Sequence, residues 1–191
     1  MQPQNLQPKP LFKERIETLL TDGSDRKAFW EIIRKQPVNS IRCNTIKIHA
    51  EKLKARLEKK WKIKQPFKSH PEIMIIESQL LPGELGKSTE HLLGYYYVQE
   101  ISSMLPMLAL NPQPNELFLD LAAAPGSKTT QAAALMENQG TIIANDVNLG
   151  RISILSANLQ KVGATNAIIT RHDGVILCNK LKNLGMKFDK I

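Results

Sequence analysis

Apolar residues recur at helical spacing over residues 11–20 and 24–35, which predicts two short helices at the start of the chain. Asp22 or Ser24 is available to cap the second helix, and Pro37 stops it. Residues 40–48 alternate apolar with polar and are rich in β-branched side chains, the pattern of a half-buried strand with Arg42 and Asn44 on its polar face. Residues 50–60 read as a basic amphipathic helix with Leu53 and Leu57 on its apolar stripe, and 61–64 and 72–77 as further strands. The expected result is a small basic α/β domain over residues 1–95, two helices followed by a sheet that the basic helix backs. Residues 96–115 are expected to form a connecting helix, with Met104, Leu105 and Leu108 in the core, and a linker hinged at Asn111-Pro112-Gln113-Pro114-Asn115.

From residue 116 onward the period changes. Short apolar runs at 117–121, 141–145, 167–170 and 188–191 alternate with helical stretches at 127–137, 148–161 and 175–184. Strands alternating with helices imply a parallel sheet with right-handed crossovers, so residues 116–191 are expected to open a doubly wound α/β domain. A six-stranded sheet of that class needs at least two more strands, and the domain is therefore expected to be incomplete at its C-terminal end.

Composition narrows the class. The 191 residues are 42% hydrophobic and 23% charged, enough for one medium domain or for a small domain joined to part of another. No apolar run approaches the roughly 18 residues of a membrane helix and residues 1–10 lack a signal-peptide core, so a cytoplasmic protein without a membrane partner is expected. Two cysteines, Cys43 and Cys178, cannot build a disulfide framework, and no Cys/His cluster has zinc spacing, so no metal is expected. Charge is more informative. Residues 1–70 hold 17 Lys and Arg against 7 Asp and Glu, whereas residues 71–191 hold 9 against 11. A one-sided basic segment suits a polyanion, nucleic acid first, and equally suits solvated helix faces that favour lysine.

The candidate chemistry gathers at strand ends. Asp120 closes the first strand of the doubly wound region, and the small residues Ala122, Ala123, Ala124, Pro125, Gly126 and Ser127 lead through Lys128 into a helix. Such a loop lets backbone approach a ligand, and free N–H groups at the helix start favour an anionic group. Asp146 closes the second strand, where a carboxylate can accept both hydroxyls of an adenosine ribose, and Asp173 follows the third. Gly-x-Gly-x-x-Gly is absent, and Gly126-Ser127-Lys128-Thr129 lacks the glycines of a phosphate-cradling P-loop. S-adenosylmethionine, which needs a ribose carboxylate and no triphosphate nest, fits better than a dinucleotide or a nucleoside triphosphate. Asp120 reads first as a turn or capping acid, and Asp173 doubles as a cap for the following helix. Lys128 is shared between a ligand carboxylate, a phosphate and solvent, and Arg151 between a pocket brace and a solvated helix position.

The run from Asp120 to Lys128, with Asn145-Asp146-Val147-Asn148 and Arg151 after it, resembles the Nop/Sun (RsmB/NOP-type) family of S-adenosylmethionine-dependent RNA cytosine-5 methyltransferases. Arg42-Cys43-Asn44-Thr45 is similar to that family's Arg-x-Asn-Thr element, and residues 94–104 to the segment preceding its cofactor domain, a Rossmann-like methyltransferase fold. The resemblance implies that residues 122–128 wrap the cofactor, that Asp146 holds its ribose and that Asp173 lies near its adenine. Ser127 stands where the family most often has glycine. The resemblance also implies a cysteine thiolate that adds to carbon 6 of cytosine, since carbon 5 is a poor nucleophile, and a second cysteine that helps release the enzyme. In the family these follow the fourth and fifth strands. Here Cys43 and Cys178 lie outside those positions and read as small buried residues, so no catalytic residue is assigned and the chain is expected to be inactive alone.

An RNA substrate, transfer or ribosomal, would be gripped by the basic N-terminal domain. Lys47, Lys52, Lys54, Arg56, Lys59, Lys60, Lys62 and Lys64 are its densest positive stretch; Trp61 either stacks on a base or packs beneath the helix. Arg42, Asn44, Gln99 and Ser103 are candidates for positioning the target nucleotide. A monomer is expected at full length. The competing reading is a non-catalytic RNA-binding or assembly protein that retains the cofactor pocket, and a nicotinamide-dependent oxidoreductase is a third.

Overall fold

The computed structural model describes residues 8–35 and 38–191, in two compact units that meet in sequence between Lys35 and Val38. Pro37, the expected helix stop, lies outside the described residues.

The first unit holds α1 (Pro10–Leu19) and α2 (Gly23–Ile32). Asp22, rather than Ser24, caps α2: its Oδ1 accepts the N–H groups of Ser24 at 2.6 Å and Asp25 at 3.2 Å. Phe12, Phe29 and Trp30 pack ring against ring, yet no residue of either helix is buried.

The second unit begins with β1 (Ser40–Cys43), α3 (Ala50–Leu57), β2 (Ile63–Lys64), β3 (Ile73–Ile76), two single-turn helices, α4 (Glu84–Lys87) and α5 (Thr89–Leu92), and β4 (Tyr96–Val98). These strands form an antiparallel sheet in the order β2-β3-β1-β4. The spacing of Leu53 and Leu57 buries both against Ile41, Cys43, Met74 and Tyr96. Two features depart from the sequence pattern. The strand expected over 40–48 stops at Cys43, because Lys47 and Ile48 turn their N–H groups back to the Asn44 carbonyl. All four residues of β1 are buried instead of alternating, because α3 covers one face and the helix that follows the 121–126 loop covers the other. Residues 96–98, expected in the connector, pair with β1 as the sheet's edge.

The chain continues through α6 (Ile101–Leu110), β5 (Leu117–Asp120), α7 (Ser127–Leu135), β6 (Thr141–Asn145), α8 (Leu149–Val162), β7 (Ala167–Thr170) and α9 (Gly174–Asn183). Along α6 it is Met104 and Met107 that are buried; Leu105, expected in the core, is 48% exposed, about 100° round the helix from Met104, and Leu108, also expected there, is half-buried. Strands β5, β6 and β7 are parallel and adjacent in that order. Phe118, Ile142 and Ala144 face α7 and α8, while Leu119 and Ile143 face α9, so helices flank both sides of the sheet.

Residues 188–191, expected as a fourth strand, make one bridge: Leu119 donates its N–H to the Lys190 carbonyl at 3.0 Å and Asp189 donates to Leu117 at 2.9 Å. This contact lies on the side of β5 away from β6. Strand order therefore reverses at β5, the place where a doubly wound sheet opens a crevice at the carboxyl ends of its strands. Among the described residues no helix is long and apolar enough to cross a membrane, and no group of three or more His, Cys, Asp or Glu is placed to hold a metal.

Candidate functional site

The loop between β5 and α7 lies at this switch point and is held from the end of β6 and from α8. Ala123 donates its N–H to the Asn145 carbonyl at 2.7 Å, and Ala124 donates to Asp146 Oδ2 at 3.3 Å. From α8, Asn158 Nδ2 donates to the Pro125 carbonyl at 2.8 Å and the Arg151 guanidinium donates to the Ala124 carbonyl. The Ala124–Pro125 peptide is cis. Gly126 has φ of 103°, and a Cβ there would stand 2.8 Å from Leu155 Cδ1, so only glycine lets the loop lie this close to α8.

Asp146 is 2% exposed. Its Oδ1 accepts the Asn148 N–H at 3.0 Å, and Oδ2 takes the Ala124 N–H and lies 3.3 Å from Arg151. A carboxylate has about four acceptor positions, so these contacts leave capacity for a ligand hydroxyl while tying loop to helix. Arg151 is in bracing geometry, its half-exposed guanidinium spanning Asp146 and Ala124. Asp173 Oδ1 accepts from Val175 and Ile176 and so caps α9. Asp120 Oδ2 accepts the Thr129 hydroxyl at 2.8 Å across the first turn of α7. Burial raises its carboxyl above the usual aspartate value, against the opposing pull of the Thr129 hydrogen bond and the Lys128 charge.

Ala123, Ala124, Pro125, Asp146 and Arg151 are thus brought into one network, while the Asp173 side chain is taken up by the start of α9; the strand end before it is tied in by Asn145, which the sequence offered only as part of a motif. Asn145 donates from Nδ2 to the Leu121 and His172 carbonyls at 3.1 and 2.9 Å, and its Oδ1 accepts from Thr170 and His172. It knits together the ends of all three parallel strands. Its signal was a polar side chain closing an apolar strand. Asn158 had no local signal, since its partner lies 33 residues away.

Three residues expected to meet the target nucleotide are placed differently. Arg42, Asn44 and Gln99 are buried, at 3%, 2% and 5% exposure, and spend their polar groups inside the protein. Asn44 Nδ2 donates to the Gly94 and Val162 carbonyls, both at 2.8 Å, joining the small sheet to the end of α8. Arg42 reaches the first turn of α7 and Gln99. Lys60 pairs with buried Glu90 at 2.8 Å, and Arg56 lies 3.8 Å from the same carboxylate. Burial alone would raise Glu90, but the Lys60 hydrogen bond and the two positive charges bring it below the usual glutamate value. Trp61 is buried and donates to Glu84 Oε1 at 2.7 Å, the packing alternative. Cys43 is sealed in the small core, where burial pushes its thiol up to about 12. Cys178, expected to be buried, is exposed, because Leu177 and Leu181 are the positions α9 turns to the sheet.

Comparison with known proteins matches this arrangement along nearly the whole chain. Residues 107–191 match the family model described as 16S rRNA methyltransferase RsmB/F, and residues 9–101 match the N-terminal domain of 16S rRNA methyltransferase RsmF. The chain belongs to the Nop/Sun family of RNA methyltransferases. This family member is 40% identical over 167 residues to the ribosomal RNA small subunit methyltransferase F of Vibrio campbellii, covering 85% of this chain and 34% of that protein. It is 43% identical over 150 residues to the tRNA (cytosine(49)-C(5))-methyltransferase of Pyrococcus abyssi, covering 78% of this chain and 48% of that one. A methyltransferase homolog protein from Pyrococcus horikoshii superposes with a TM-score of 0.80 at 34% identity, over 96% of this chain and 58% of that structure. The chain spans about a third to a half of the length of these two curated relatives.

Proposed function

We propose that the chain carries the RNA-engaging lobe and the opening part of the cofactor domain of an S-adenosylmethionine-dependent RNA (cytosine-5) methyltransferase acting on ribosomal or transfer RNA. The observation that supports this best is the meeting of residues 122–128 with Asp146 at the carboxyl ends of β5 and β6, beside the point where strand order reverses. The residues present fit the cofactor: small side chains along the loop, N–H donors at the α7 start and one acid at the end of the second strand. When bound, S-adenosylmethionine supplies the methyl group. The chain's own part is to hold it. The α7 start faces the carboxylate end, Asp146 accepts from the ribose, and Asp173 borders the adenine. On the other lobe Lys52, Lys59, Lys64 and Lys68 are exposed and available to phosphates.

Titration calorimetry tests the cofactor half: S-adenosylmethionine or its demethylated product binds, and Asp146→Ala weakens binding by about 1.5–3 kcal/mol, the loss of charge-assisted hydrogen bonds. Unchanged affinity removes the ribose role. Affinity of the chain for RNA falls steeply with added salt if the lysines neutralise phosphates; a flat response removes that role.

A further inference from the structure

Arg42 stands on β1, an inner strand of the small sheet, yet the groups it serves lie mostly in the other sheet's first helix. Its Nη1 donates to Gln99 Oε1 at 2.6 Å, to the Ser127 carbonyl at 2.8 Å and to Gln131 Oε1 at 3.4 Å; Nη2 donates to Thr130 Oγ1 at 2.9 Å. The guanidinium lies 5.5 Å from the Tyr97 ring centre, and its buried Nε has no partner. Every one of these partners is neutral. Among the described residues no carboxylate pairs with Arg42, and Glu72 acts on it only at longer range. Burial lowers its pKa to about 10, which leaves it charged at neutral pH.

A buried cation without a counter-ion is costly. This one is also set against the first turn of α7, the positive end of the helix dipole, where a cation is unfavourable. Two sources of positive potential therefore coincide beside the 122–128 loop; the carboxylates nearest to it, Asp120 on the Thr129 hydroxyl and Asp146 on the Ala124 N–H, are engaged there and neither bonds to Arg42. The buried acid Glu90 of the same chain is arranged otherwise, shared by Arg56 and Lys60.

We infer that Arg42 is a positioning and specificity residue whose charge, paired directly with no carboxylate among the described residues and delivered through the first turn of α7, selects ligands that carry a carboxylate at the amino-acid end. Arg42 does not touch the ligand; it fixes Ser127 and Thr130 and raises the potential at the helix start. This inference rests on the proposed cofactor site.

The experiment measures two ligands on the full chain by calorimetry: S-adenosylhomocysteine, which has the carboxylate, and 5′-methylthioadenosine, which lacks the amino-acid half. Gln99→Glu places a carboxylate 2.6 Å from Arg42 Nη1, giving the guanidinium a counter-ion without removing it from the fold. The expected result is a loss on the order of tenfold for S-adenosylhomocysteine and a change within about twofold for 5′-methylthioadenosine. Arg42→Gln gives the same selective loss, and Arg42→Lys, which keeps the charge, restores most of it. Equal losses for both ligands, or no loss in Gln99→Glu, overturn the inference and leave the cofactor site standing. Failure of the unaltered chain to bind either ligand overturns the cofactor site and this inference together.

Discussion

Under α7 and α8 the parallel sheet meets a continuous core that runs from Phe118, Ile142 and Ala144 through Ala132 and Ala133 to Leu155 and Leu159, and includes loop residues Ala123 and Ala124. Under α9 the same sheet meets only Leu119, Ile143, Leu177 and Leu181, beside a hollow of about 370 Å³ bordered by Cys178, Met186, Phe188 and Ile191. Val175, Ile176 and Ile168 on that side are more than half exposed. The alanines of α7 let it approach the sheet closely, so the loop is part of a packed interior. The 121–126 loop and Asp146 are therefore built on the packed face, whereas Asp173 caps the helix of the looser one.

Substitutions on the two faces separate these roles. Leu155→Ala is expected to lower stability in urea unfolding by about 3–4 kcal/mol, since Leu155 is fully buried and supports Gly126. Leu181→Ala, next to space into which neighbours can relax, is expected to cost about 2 kcal/mol; equal losses would erase the asymmetry. Asp173→Ala removes the α9 cap at a cost of about 1 kcal/mol, seen first as faster hydrogen exchange at Val175 and Ile176. An unchanged exchange rate would show that α9 starts without the cap. The smallest effect is expected on the packed face. Because burial raises the Asp120 carboxyl, its contribution to stability is fully present below the usual aspartate value and is lost as pH rises through the folded value. Asp120→Asn should thus leave acid stability unchanged and modestly raise stability at neutral pH, as measured by denaturation curves at both; a loss at neutral pH would contradict it.

The elements of the parallel sheet were legible because helices of 9, 14 and 10 residues declare their period, and the short apolar runs that alternate with them are left as strands. The small domain was less so. Strand β4 has three residues and α4 and α5 four each, too short for a period to register. That the loop and Asp146 meet was legible as well, since both stand at the carboxyl ends of adjacent parallel strands. Arg42, Asn44 and Gln99 were not. Their alternation with apolar neighbours reads as a solvent face, and only the docking of α7 and α8 converts that face into an interior.

The alternation of strands and helices from residue 117 to 184, the glycine and small-residue loop, the acid twenty residues after Gly126 and the concentration of positive charge in the first third all follow from the amino-acid sequence itself. The tertiary structure decided which polar residues face water and which join the two sheets. Arg42 finds its partners 57 to 89 positions away, and Asn44 finds Val162 at 118. Local periodicity reports one covered face of an element. Whether the opposite face is also covered depends on residues remote in the chain, and at β1 that second cover turns solvent-facing residues into buried ones.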